Sequence, residues 1–166
     1  MAVLQAVAAC YPVGEAAIVF ERFDEEEAFR LGLALRERAV SGNLPIVIDI
    51  RTWDRQLFFC ATPGSNEGNA DWVRRKINVL RRFGRSTYRV ALEQNRDDDL
   101  FAPRHGLDAK DFVLAGGGFP IRLKNAGIVG CVTVSGLPQR EDHALVVEVL
   151  CTHLGLDHAA LALPTA

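Results

Sequence analysis

Gly116-Gly117-Gly118-Phe119-Pro120-Ile121-Arg122, then Ile128-Val129-Gly130-Cys131-Val132-Thr133-Val134-Ser135-Gly136, then Pro138-Gln139-Arg140-Glu141-Asp142-His143 are the stretches that decide the fold. They read as a glycine-rich entry, a hairpin and a polar loop feeding a helix, which sets flexible backbone, arginines and a histidine beside a sheet. Upstream, Ile46-Val47-Ile48-Asp49-Ile50 and Gln56-Leu57-Phe58-Phe59-Cys60-Ala61 are joined by so short a polar turn that they must pair antiparallel, and this hairpin is expected at the centre of the sheet.

Helices separate the hairpins. Asp24 and Glu27 have capping-box spacing, and Ala28, Leu31, Leu35 and Ala39 follow at helical intervals until Ser41-Gly42-Asn43. A second helix is predicted from about Asp71 to Phe83, with Val73, Ile77 and Leu80 as its apolar stripe and Gly84 as its stop. Ser86 caps a short helix to about Glu93, residues 93–108 read as a solvated excursion, and Asp142 is expected to cap a last helix ended by Gly155. With Ala16-Ala17-Ile18-Val19-Phe20 as an optional edge strand, the order predicts an α+β fold: an antiparallel sheet of about five strands flanked by helices, in one domain over residues 1–166. A Rossmann reading lacks G-x-G-x-x-G after a strand.

With 49% hydrophobic and 24% charged residues, 166 residues can bury a sizeable core without a metal or disulfide frame. A formal charge of -2 argues against a nucleic-acid binder, and the cluster Arg74, Arg75, Lys76, Arg81 and Arg82 reads as a solvated helix face. Cys10, Cys60, Cys131 and Cys151 form no C-x-x-C pair and are expected to be buried thiols. Val7-Ala8-Ala9-Cys10 lacks the basic residues and apolar length of a lipoprotein signal, and no stretch approaches the roughly 20 apolar residues of a membrane span. A cytoplasmic location is expected.

Gly116, Gly117 and Gly118 can turn amides toward an anion, although a tight strand entry is the simpler reading. Arg122 and Arg140 can hold carboxylates in bidentate geometry. Trp72 and Lys76, four residues apart, share a helix face where an indole and an ammonium can meet a flat anionic ligand; helix packing with a snorkelling lysine is the competing reading. His143, at a helix start, is the best candidate for a metal ligand or catalytic base, against a histidine that only hydrogen-bonds its neighbours. Ser135 lacks the G-x-S-x-G context of a nucleophile and reads as a turn serine. Asp97-Asp98-Asp99 does not have the alternating ligands of an EF-hand.

Phe83-Gly84-Arg85-Ser86, Gly116-Gly117-Gly118-Phe119-Pro120-Ile121 and the Val129–Gly136 segment together resemble the haem-degrading-domain family, with similarity from about residue 23 to 155. Asp71-Trp72, Lys76 and Val134-Ser135-Gly136-Leu137-Pro138-Gln139-Arg140-Glu141-Asp142-His143 resemble its uncharacterised branch. The resemblance implies a profilin-like sheet, homo-oligomers from dimers to larger rings, and a haem or other tetrapyrrole site, with Lys76, the glycine-rich entry and Ser135-Gly136 on the shared pattern. It maps no uniform axial ligand onto this chain. The expected function is binding of haem or a similar planar anionic ligand, with Trp72 and Phe119 supplying faces and Lys76, Arg122 or Arg140 meeting carboxylates. Oxidative haem degradation is its enzymatic form, and a noncatalytic small-carboxylate sensor or assembly domain is the alternative.

Overall fold

The computed structural model describes residues 14–163. Helix α1 spans Glu25–Ser41, strands β1 and β2 Val47–Thr52 and Gln56–Ala61, helices α2 and α3 Glu67–Phe83 and Thr87–Gln94. A single 3-10 turn follows at Pro103–His105, then β3 Gly118–Leu123, β4 Gly127–Ser135, α4 Gln139–Leu154 and α5 His158–Leu161. The sheet has the order β2-β1-β4-β3 and is antiparallel throughout. β1 and β4 are therefore its interior strands, and the first hairpin contributes β2 as an edge rather than lying wholly at the centre.

Alternation along the strands gives the sheet two apolar faces. Ile48, Ile50, Phe119, Ile121, Val132 and Val134 point to one face, where Leu31 and Leu35 of α1 and Val146 and Leu150 of α4 cover them. Val47 and Cys131 point to the other, under Val73, Ile77 and Leu80 of α2. A smaller cluster of Val79, Val90, Phe101 and Leu114 anchors the excursion, with Phe83 and Phe101 stacked at 5.4 Å, so residues 93–108 are not wholly solvated.

Several boundaries differ from the sequence reading for identifiable reasons. The 16–20 segment is not a strand: residues 14–17 are helical, and Phe20 makes only an isolated parallel bridge to Leu123. Ile18 and Phe20 are buried as a plug, and the Glu15 carboxylate accepts from the Ser86 amide and hydroxyl; among the described residues the sheet has four strands. α2 starts at Glu67 because Asn66 and Asn69 form its capping box. α4 starts at Gln139 behind Pro138, which puts Asp142 a turn inside the helix instead of at its cap. The caps at Asp24 and Ser86 and the left-handed stops at Gly84 and Gly155 stand as read. Cys131 and Cys151 are buried free thiols and Cys60 is half-buried, while Cys10 and its surrounding motif lie outside the described residues. Among the described residues no helix is long and apolar enough to cross a membrane.

Candidate functional site

Asn69, Trp72 and Lys76 fall at i, i+3 and i+7 of α2, so one helix face presents all three to the same side. That face meets the end of β4 and the first turn of α4 around a cavity of about 290 Å³, lined also by Asp99, Ala115, Ser135, Gly136, Leu137, Gln139 and Asp142. The three regions that carry the sequence motifs thus meet at one hollow.

Its floor is an ion pair. Lys76 Nζ donates to Asp142 Oδ2 at 2.9 Å and to the Val134 carbonyl at 2.9 Å, and Asp142 Oδ1 accepts from the Leu137 amide at 3.1 Å. Lys76 is 2% exposed and Asp142 1%. Burial pulls the Lys76 ammonium below its ordinary pKa despite Asp142, and pushes the Asp142 carboxyl up despite Lys76. An ammonium has three donor hydrogens, and two are used.

Lys76 therefore does not belong to the solvated basic face. The cation over the Trp72 indole is instead Arg75, whose guanidinium carbon lies 4.3 Å from the ring centroid. Arg75 also pairs with Asp71, four residues earlier.

The triple glycine is closely packed, and none of its three residues lines the cavity. The Gly118 amide donates to Thr87 Oγ1 and the Gly116 amide to Gln139 Oε1, so these donors are already engaged. Gly117 has φ +115°, and a Cβ there would lie 2.5 Å from the Val134 carbonyl oxygen and 2.8 Å from Lys76 Nζ. Gly136, with φ +154°, would put a Cβ 2.2 Å from the Pro45 carbonyl oxygen. Gly117 thus lets backbone close over the ion pair, and Gly136 lets the end of β4 lie against the Pro45–Ile46 backbone.

His143 is not in the cavity. It is 0% exposed, with its ring centroid 5.0 Å from that of Tyr88 and 6.2 Å from that of Phe119. Burial, with a smaller contribution from Arg140, pushes its pKa down to about 3, which keeps the imidazole neutral inside an aromatic layer. The ring is thus enclosed by protein and does not face the hollow, and among the described residues no group of three or more His, Cys, Asp or Glu could hold a metal. Phe119 is buried in the core and offers no face to a ligand. Neither Arg122, on β3, nor Arg140, in the first turn of α4, lines the cavity. Of the ligand-binding candidates named from the sequence, Trp72, Lys76 and Ser135 line it, with Gly136 of the shared pattern beside Ser135.

Asp142 was legible as more than a cap. It lies on the stripe Asp142, Val146, Leu150 of α4, as Lys76 lies among Val73, Ile77 and Leu80 of α2, and a charge on an apolar stripe requires a buried partner. Asn69, Asp99 and Gln139 carry no such signal, since nothing local distinguishes them from surface polar residues.

A second hollow of about 310 Å³ lies beneath β1, β2 and α2, but its charges are spoken for. Arg51 forks onto Asp49, Arg74 pairs with Asp71 and Asp111, and Arg81 donates to the Trp53 carbonyl.

The sequence is 58% identical over 149 residues to a UPF0303 protein of Mesorhizobium japonicum, covering 90% of this chain and 89% of that one. It is 57% identical over 152 residues to a UPF0303 protein of Brucella melitensis, covering 92% and 90%. The fold matches the crystal structure of the Ybr137w protein with TM-score 0.81 at 24% identity, over 93% of this chain and 95% of that chain. It also matches HbpS (TM-score 0.63, 18% identity, 81% and 91%) and PduOC, solved as a haem complex (TM-score 0.65, 16% identity, 82% and 97%). The model of haem-degrading protein HbpS-like matches residues 23–151, and the chain belongs to that family.

Proposed function

We propose that this chain binds a planar organic ligand of the haem class by one edge of its ring, in the cavity beneath Trp72. The observation that carries the reading is the buried Lys76–Asp142 pair on the cavity floor. A buried ion pair is a weak source of stability, and replacing it by apolar residues is often neutral or favourable. At the bottom of a hollow it supplies something packing does not: an N–H still able to donate to a ligand oxygen. Trp72 gives the hollow an apolar wall, and Asn69, Ser135 and the Gln139 amide nitrogen add polar groups around it.

The residues present fit the periphery of a tetrapyrrole and not its metal. About 290 Å³ is at the low end of ligand cavities and takes only part of a macrocycle. The lining contains neither His nor Cys, and its two carboxylates outnumber Lys76, so affinity must come from the aromatic wall and hydrogen bonds rather than from net attraction to an anion. The family match and the haem bound by the PduOC neighbour support this ligand class.

Titration with haem and with metal-free protoporphyrin IX tests the reading. Comparable affinities are expected, because the iron is not ligated, and Trp72→Ala should weaken both by up to about tenfold, the loss of one aromatic contact. Failure of both to bind, or haem binding alone with the spectrum of histidine-ligated iron, would refute it. The volume also admits a small organic acid whole; a melting point raised by small carboxylates but by neither porphyrin would select that ligand.

A further inference from the structure

We propose that the group received by the cavity floor is a neutral ring amide, a lactam with its C=O and N–H on one edge; within the haem-class reading, on which this rests, the ligand is then an open-chain tetrapyrrole entering by an end ring. Among the described residues that line the hollow, Lys76 is the only cation, and its charge is met by Asp142 at 2.9 Å, with Asp99 as a further carboxylate. A ligand carboxylate turned to this floor would find no unpaired cation and two charges of its own sign. A neutral acceptor escapes that repulsion.

The donors around the hollow suit a carbonyl. Asn69 Oδ1 accepts from the Asn66 amide at 2.8 Å and Gln139 Oε1 from the Gly116 amide at 3.2 Å, so the backbone engages each side-chain oxygen and leaves each NH2 to donate. Lys76 keeps one N–H beyond those given to Asp142 and the Val134 carbonyl.

The acceptor beside them is Ser135. It is 4% exposed, lines the cavity, and its hydroxyl makes no hydrogen bond to any described residue. Strand alternation puts it on the side of β4 that Cys131 turns to α2, and Lys76 bonds the carbonyl of the residue just before it. A hydroxyl so buried is ordinarily bonded, and the partner of this one is whatever fills the cavity. Able to accept as well as donate, next to an ammonium that only donates, it can take the N–H of a group whose C=O goes to Lys76.

Geometry narrows the amide. A trans peptide points its C=O and N–H to opposite sides, so a linear chain cannot offer both to neighbouring protein groups. A ring amide is held cis and presents them side by side on a flat edge, which also suits the Trp72 wall. The end rings of an open-chain tetrapyrrole have this edge, whereas the rim of the closed macrocycle carries hydrocarbon groups and carboxylates. A hollow of about 290 Å³, too small for a macrocycle, takes one end ring whole.

Biliverdin and protoporphyrin IX share their carboxylates and differ in the lactam ends, and calorimetric titration of both into the full chain tests the proposal. Biliverdin should bind at least about tenfold tighter and keep its affinity when its carboxylates are capped as methyl esters. Ser135→Ala should weaken biliverdin about fivefold more than it weakens protoporphyrin IX, the loss of one hydrogen bond. Equal or tighter binding of protoporphyrin IX, loss of biliverdin binding on esterification, or a Ser135→Ala loss shared equally by both ligands would overturn the lactam and leave the haem-class reading in place. Binding of neither tetrapyrrole would overturn both. The ligand comparison uses the wild type, so it decides the matter even if Ser135→Ala does not fold.

Discussion

Replacing Lys76 by methionine keeps much of the stem's volume and deletes the charge, leaving the Asp142 carboxylate buried against Leu137 and the close-packed Gly117. Removing one partner of a buried pair costs about 3–5 kcal/mol, and the lost hydrogen bond to the Val134 carbonyl adds about 1 kcal/mol. Asp142 can escape part of this by protonation. Burial already raises its folded pKa, and losing Lys76, which lowers it, raises it further. A carboxyl whose folded pKa exceeds its unfolded value binds more protons when folded, so stability falls as pH rises between the two values, by about 1.36 kcal/mol per unit. Lys76→Met should therefore be more damaging at pH 8 than at pH 5. Asp142→Asn should slope the other way: burial lowers the folded pKa of Lys76, the unfolded chain binds more protons, and stability falls as pH falls. Urea unfolding followed by circular dichroism at both pH values reads both slopes. The double variant Lys76→Met/Asp142→Leu should recover most of the loss. Slopes of the same sign, or single losses under about 1 kcal/mol, the scale of an exposed pair, would refute the description of the cavity floor.

Two further outcomes follow from the same region. Gly117→Ala puts a methyl against the Val134 carbonyl oxygen at positive φ and should cost about 1–3 kcal/mol of backbone strain in addition to the clash, read as a lowered melting temperature; an unchanged melting point would mean that the bend is not as described. The His143 imidazole, with its pKa near 3 against an ordinary 6.5, should show no titration by NMR between pH 8 and 5. Because the unfolded chain binds that proton first, stability should fall as pH drops below about 6.5, and His143→Phe should flatten the fall; a ring titrating near 6.5 in the folded protein would contradict its burial.

The fold was legible where the chain signals locally. Short polar turns forced both hairpins antiparallel, and Asp24, Ser86, Gly84 and Gly155 marked helix ends by chemistry that needs no tertiary partner. What local pattern could not show was strand order. β1 and β4 pair across about 80 residues of sequence, so the hairpin expected at the centre supplies one interior strand and one edge. Ile18 and Phe20 misled for the same reason. Apolar residues at alternate positions fit a strand as well as they fit a plug, and only the burial of Glu15 on Ser86 separates the two.

For the site, the sequence motifs meet at one hollow, but the residues they bring to its lining are not those that residue type alone puts first. Three motifs converge on the hollow, but His143, ranked first by residue type, sits in an aromatic layer, while Asp142, read as a cap, meets Lys76. The difference lies in which face of α4 each residue occupies, and helix registration decides that: starting the helix at Gln139 rather than after Asp142 moves the acid one turn inward. An acid and a base on apolar stripes of different helices constrain each other, since neither can be buried alone at less than several kcal/mol. The pair therefore fixes how α2, β4 and α4 meet, and the hollow above it follows from that meeting.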